Sequence, residues 1–164
     1  MASLPSNFPT GWYAWLEANA ARYLLFARSQ TRSEADAQDV LQEALLEAWR
    51  RAPDLPPGDT LIFKTIRWRA IDLGRRADLR ARHELNTVDW WQSSEDAPGT
   101  RNLELEGAVQ ALPAHLREVV LLKIWGGLTF RDIAETLGLP PATAASRYRY
   151  ALEHLRHALK EVRT

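Results

Sequence analysis

Residues 128–155 read LTFRDIAETLGLPPATAASRYRYALEHL, and their spacing predicts a short helix, a tight break and a longer helix that carries arginines. Ile133, Ala134 and Leu137 fall on one face of the first helix, and Thr129 is placed to cap it, with Asp132 three residues on. Gly138 follows the last apolar position, where a residue tolerant of the left-handed conformation closes a helix. Pro140-Pro141 then prevents continuation and pre-sets the backbone of the next helix. In that second helix Ala144, Tyr148, Ala151, Leu152 and Leu155 recur three and four apart, which predicts a buried stripe. Thr143, Ser146, Arg147, Arg149 and Tyr150 remain outward near its N-terminus. Hydroxyl donors and cations at a helix end whose dipole favours phosphate suit the major groove of DNA, so the stretch reads as a helix-turn-helix. A plain helical hairpin in a bundle core is the competing reading, but it has no need of Ala134, Gly138 and an arginine-bearing second helix together.

Composition bounds the rest. The 164 residues are 46% hydrophobic with zero net charge, which describes a soluble chain of one ordinary domain or two small ones. The start, Met1-Ala2-Ser3-Leu4-Pro5, lacks the basic and apolar regions of a signal peptide, and no apolar run approaches the roughly 20 residues that cross a bilayer. A cytoplasmic protein without membrane insertion is expected. Absence of cysteine excludes disulfides, thiolate metal sites and cysteine nucleophiles. No glycine-rich phosphate loop or nucleophile elbow occurs. His83 and His115 are isolated, and His154 with His157 lacks a third ligand nearby, so neither an enzyme nor a metal or cofactor site is expected.

Zero net charge is unexpected for a DNA binder, because non-specific affinity comes mainly from a basic surface. The local distribution is more telling. Lys64, Arg67, Arg69, Arg75, Arg76, Arg80 and Arg82 face only Asp72 and Asp78 between them. From Glu84 to Glu106 the sign reverses, with six acids against Arg101, in a stretch that also holds Ser93-Ser94 and Pro98-Gly99. That composition reads as a tether. The C-terminal segment is basic again, with Arg147, Arg149, Arg156, Lys160 and Arg163 against Glu153 and Glu161.

Outside the tether the apolar residues keep helical period, and alternating β-branched runs are absent, so the fold class is all-α: two small helical domains joined by an acidic linker. The expected bounds are 1–83, 84–102 and 103–164. Residues 11–28 form a first helix with Trp12, Trp15, Leu16, Tyr23, Leu24 and Phe26 on its apolar side. A second begins at Ser33 and runs to about Arg51, burying Val40, Leu41, Ala44, Leu45, Ala48 and Trp49. A third starts near Thr60 and uses Ile62, Phe63, Ile66, Ala70, Ile71 and Leu73. The second domain opens with helices from Leu103 to Ala111 and from Pro113 to about Trp125, followed by the helix-turn-helix.

The second helix carries a feature its own stability does not explain. Asp36, Asp39, Glu43 and Glu47 are spaced three, four and four, a line of like charges that costs an isolated helix roughly 0.2–0.5 kcal/mol per pair. With Gln42 alongside, the stripe suits a basic partner, although an ordinary solvated face has the same composition. The segment from Asp36 to Trp49 resembles the core-polymerase-binding helix of bacterial extracytoplasmic-function sigma factors, of the sigma-70 family. Leu112 to Val120, Gly127 to Ala134 and Thr143 to Arg147 resemble that family's promoter-reading domain, and Ile71-Asp72-Leu73 with Arg75-Arg76 resembles the end of its first DNA-facing helix. The resemblance covers about 140 residues of the 164, in the family's order.

This resemblance implies a sigma2-like domain, a sigma4-like domain and a dissociable subunit that binds RNA polymerase core and directs it to particular promoter DNA. Asp36, Asp39, Gln42, Glu43 and Glu47 would face polymerase, with Trp49 buried behind them. Lys64, Arg67, Trp68, Arg69, Arg75 and Arg76 would meet the −10 element, the loop from Ala52 to Thr60 lying where the family captures an unstacked base. Its prolines reduce the entropy lost on ordering it. Trp68 stands where the family commonly has asparagine, and either base stacking or a place in the core accounts for it. Arg131, Thr143, Ser146, Arg147, Arg149 and Tyr150 would meet the −35 element, with Arg131 contacting phosphate or pairing with Glu135. Ala145 and Tyr150 depart from frequent lysine and arginine, so the −35 sequence does not carry over from relatives.

Two other readings compete. A free-standing helix-turn-helix regulator would want a basic total charge or a dimer helix, and neither is evident. A sigma-like decoy or adaptor holding polymerase or an anti-sigma factor would keep the acidic helix and lose the arginines, which this chain retains. Trp90-Trp91 in the tether suggests a docking point on an anti-sigma factor, on polymerase or on its own domain. The tether's charge further suggests an unbound form in which it masks a basic surface.

Overall fold

The computed structural model describes residues 10–78 and 103–163. The chain divides into two compact units, residues 1–90 and 91–164, and the described residues of both are helical with no strand. The tether, Trp90-Trp91 and the expected boundaries at 83 and 102 lie outside the described residues.

In the first unit α1 (Thr10–Gln30), α2 (Glu34–Arg51) and α3 (Asp59–Asp78) pack pairwise on one another. Tyr23 and Phe26 of α1 meet Phe63 of α3 edge-on, at centroid distances of 5.1 and 5.3 Å. Each of these buried rings contributes about 1.5–3 kcal/mol by leaving water. Val40, Leu41, Ala44, Leu45 and Ala48 of α2 and Ile62, Ile66 and Ala70 of α3 complete the core. On α1 the buried set differs from the expected stripe: Leu24 is half-buried, while Leu25, Ala27 and Arg28 are buried. A helix wedged between two neighbours buries a wider arc than one amphipathic face. Trp49, expected inside, is half-buried, and so are Ile71 and Leu73.

The connection from α1 to α2 is clamped by Arg28, whose Nε and Nη2 donate to the two carboxylate oxygens of Glu34 at 2.7 Å each. Ser33 caps α2 by accepting from the Asp36 amide at 3.1 Å.

The second unit contains α4 (Leu103–Gln110), α5 (Ala114–Val120), α6 (Phe130–Leu137) and α7 (Pro141–Arg163), with α7 packed against the other three. Glu104 and Glu106 belong to α4 rather than to a tether, and Glu106 is buried. The single helix expected from Pro113 to Trp125 is instead α5 followed by a wider turn, Leu121–Trp125, in which the Gly126 amide donates to Leu121 O at 2.8 Å. This five-residue closure places both Leu121 and Leu122 in the core and leaves Ile124 exposed. Arg117 ties the preceding corner by donating to Gln110 O and Leu112 O.

Candidate polymerase and nucleic-acid surfaces

The helix-turn-helix forms by the local rules that its sequence obeys. Thr129 accepts from the Asp132 amide at 3.2 Å and caps α6. Gly138 takes the left-handed conformation, φ 70° and ψ 39°, and its amide and that of Leu139 both donate to Ala134 O. Pro141 then begins α7, with Pro140 O accepting from the Thr143 and Ala144 amides. Ala144, Ala151 and Leu155 are buried as expected. Leu152 is not: it is 37% exposed, because Ala151 and Leu155 alone fill the inner stripe at that level. Tyr148 is half-buried with its ring 5.5 Å from Phe130.

Thr143, Ser146, Arg147 and Tyr150 recur at three- and four-residue spacing and so share one face of α7, away from the core stripe. The first three are half-buried and Tyr150 is exposed. Arg149 stands at the edge of this face, its guanidinium 5.7 Å from the Tyr150 ring centroid. Arg131 is exposed on α6. The face offers a hydroxyl pair, cations and an aromatic edge, the chemistry needed for phosphates and base edges.

On α3, Lys64, Trp68 and Arg75 are spaced four and seven apart and lie opposite Ile62, Ile66 and Ala70. Trp68 is 62% exposed, which removes the core alternative. Arg67 flanks this face on one side, with Arg69 and Arg76 on the other. Arg69 Nη2 lies 3.1 Å from Glu47, and Arg76 lies 3.2 Å from Asp72.

On α2, Asp39 and Glu43 are exposed, while Asp36 and Gln42 are half-buried. Glu47 differs from its neighbours in the stripe because it accepts from both Arg51 and Arg69, at 3.0 and 3.1 Å. It therefore bridges α2 to α3, while Asp39 and Glu43 stand exposed on the same stripe.

A third constellation carries no local sequence signal. Arg22 and Tyr23 on α1 both donate to Oδ1 of Asp59, the first residue of α3, at 2.5 Å. Arg22 is itself steadied by Asn19 at 2.7 Å. Burial pushes the Tyr23 phenol well above its ordinary pKa, and the hydrogen bond to Asp59 adds to the shift, so the phenol stays a donor. The residues are 36 and 37 positions apart, which is why periodicity misses the contact.

His154 and His157 are both exposed, and among the described residues no group of three or more His, Cys, Asp or Glu is placed to hold a metal ion. No helix among the described residues is long and apolar enough to cross a membrane.

Comparison with known proteins agrees along both units. Residues 15–80 match the family described as Sigma-70 region 2, and residues 102–155 match Sigma-70, region 4. The extracytoplasmic-function (ECF) RNA polymerase sigma factor SigL of Mycobacterium tuberculosis is 31% identical over 161 residues, covering 91% of this chain and 89% of the relative. ECF sigma factor RpoE of Cereibacter sphaeroides is 31% identical over 132 residues, covering 74% and 71%. Among solved structures, the sigma factor RpoE in complex with the anti-sigma factor NepR from Bartonella quintana superposes with a TM-score of 0.69 at 21% identity, over 93% of this chain and 98% of that one. CnrH in complex with the cytosolic domain of CnrY does so with a TM-score of 0.59 at 22% identity, over 92% and 88%. At those identities the two structures speak for the fold. With both regions matched in order and 31% identity along nearly the whole of SigL, the chain belongs to the ECF sigma factors and serves promoter-specific initiation of transcription.

Proposed function

We propose that the exposed acidic face of α2, centred on Asp39 and Glu43 with Asp36 and Gln42 beside them, docks this sigma factor on a basic surface of RNA polymerase core. Lys64, Arg67, Trp68, Arg69, Arg75 and Arg76 of α3 follow the melted −10 strand, Arg69 and Arg76 exchanging Glu47 and Asp72 for phosphate. Trp68 offers a stacking platform worth about 1–3 kcal/mol per base. The α7 face of Thr143, Ser146, Arg147 and Tyr150, with Arg149 at its edge and Arg131 nearby, enters the major groove at −35. The functional division follows the sequence bounds, 1–83 and 103–164, with 84–102 as tether. The subunit is non-catalytic and works in the cytoplasm, where polymerase and promoters are, and an anti-sigma factor competing for the same faces is its natural regulator.

The single observation that carries this reading is the exposure of Asp39 and Glu43 on a helix whose other side builds the core. Two like charges one turn apart, with no partner required by the fold, are retained at a cost to the helix. The test is run-off transcription with core polymerase on a genomic promoter library, comparing the wild type with Asp39→Arg, Glu43→Arg. Defined start sites should vanish in the double variant while its thermal stability changes by less than about 0.5 kcal/mol, the usual range for surface positions. Start sites that survive the double charge reversal would sink the docking assignment.

A further inference from the structure

The loop between α2 and α3, residues 52–58, is held at both ends by α1. At its start, Trp12 Nε1 donates to Pro53 O at 2.9 Å. Past its end, Arg22 and Tyr23 converge on Asp59. Pro53 is the first of three prolines in the loop, with Pro56 and Pro57 between the anchors, and the Leu55 amide turns back to Ala52 O at 3.5 Å. Leu55 itself is 70% exposed, a large apolar side chain held in water at the tip of a stiffened loop. Core packing accounts for the Trp12 and Tyr23 rings, but it does not require their polar atoms to reach Pro53 and Asp59, at the two ends of the loop. A loop of seven residues that must be ordered when it meets a ligand loses affinity in proportion to the freedom it gives up, and anchoring removes that loss beforehand.

We propose that Trp12, Arg22 and Tyr23 are positioning residues for promoter opening, fixing the 52–58 loop so that Leu55 meets an unstacked base of the −10 element as an apolar wedge. This rests on the reading that the loop captures a melted base. Apolar side chains set between bases are a recurrent means of holding distorted DNA. The α1 residues touch no DNA in this scheme. They act through Asp59 and Pro53 on a side chain that does.

The test uses holoenzyme assembled with each variant on a promoter fragment from the transcription assay, with 2-aminopurine in the −10 non-template strand reporting opening. Tyr23→Phe keeps the ring against Phe63 and removes only the hydroxyl. It should slow opening about fivefold, the effect of one lost hydrogen bond, with core affinity unchanged. Arg22→Gln should do the same or more, and Leu55→Ala should slow opening at least as much. The decisive comparison is the double variant Leu55→Ala, Tyr23→Phe. A residue that acts through Leu55 adds nothing once Leu55 is gone, whereas a merely structural defect multiplies with it. If Leu55→Ala slows opening while Tyr23→Phe and Arg22→Gln open at the wild-type rate, or if the two defects multiply, the positioning role is overturned and the loop reading stands. If Leu55→Ala opens normally, the wedge fails, and the positioning role fails with it.

Discussion

Replacing Gly126 with alanine should destabilise the second unit, although the backbone angles alone predict the opposite. Gly126 has φ −80° and ψ −22°, an ordinary right-handed conformation in which alanine is worth about 0.5–1 kcal/mol more than glycine. The obstacle is steric. A Cβ there would stand 2.5 Å from Leu122 O and 3.0 Å from Leu122 Cα, both backbone atoms that cannot swing aside. Reaching an ordinary carbon contact of about 3.5 Å means opening the turn by about 1 Å. Two hydrogen bonds close that turn, Gly126 N to Leu121 O at 2.8 Å and Leu128 N to Leu122 O at 3.1 Å. Losing both costs about 2 kcal/mol, which leaves a net destabilisation of about 1–1.5 kcal/mol after the alanine gain. For a unit of this size that lowers the midpoint by about 5–10 °C, measurable by scanning calorimetry of the full chain. Gly138 provides the contrast, since its φ of 70° disfavours a side chain but nothing lies within 4 Å of its Cβ position. Gly138→Ala should cost about 1 kcal/mol through conformation alone, and Gly138→Asn should recover much of it. Asparagine at 126 should recover nothing. A Gly126→Ala chain whose second unit unfolds at or above the wild-type temperature would refute the argument.

Glu47→Gln should release Arg69 and Arg51 at a stability cost below about 1 kcal/mol, since all three side chains are at least 30% exposed. Binding of the holoenzyme to single-stranded DNA should then tighten and grow steeper with salt as Arg69 turns to phosphate, and an unchanged salt slope would count against its place in the track. Glu34 carries the pH prediction: the Arg28 guanidinium holds its carboxyl below the usual range despite partial burial. Its stabilisation is therefore complete above the unfolded carboxylate value of about 4.3 and is lost as pH falls through the lower folded value. Glu34→Gln should destabilise the first unit near neutrality and flatten the acid limb of urea unfolding, and an unaltered acid limb would remove Glu34 from the clamp. Arg147→Ala should weaken binding to the −35 duplex by about 1–3 kcal/mol and relax preference at one base pair; a uniform loss across sequences would make it a phosphate contact instead.

Much of this protein was legible from neighbours in sequence. The Thr129 cap, the left-handed Gly138, the start of α7 at Pro141 and the inner side of α2 all depend on residues within about a turn of one another, where periodicity and capping chemistry act. The acidic α2 face stood out for the same reason, as a local charge pattern that a lone helix would not favour. Tertiary structure decided what depends on which side of a helix its neighbours cover and on which residues distant in sequence come together. Between its two neighbours α1 buries Leu25, Ala27 and Arg28 beyond a single stripe, while Trp68, on the side of α3 opposite its buried residues, is left in water. The wide turn at Leu121–Trp125 exists because Gly126 tolerates a backbone approach that no pattern of apolar residues announces. Glu47 bridges α2 to α3 because Arg69, 22 positions away, lands beside it. The hold of Arg22 and Tyr23 on Asp59 arises the same way, since polar side chains carry no periodic mark of their partner and only the packing of α1 against α3 brings donor to acceptor.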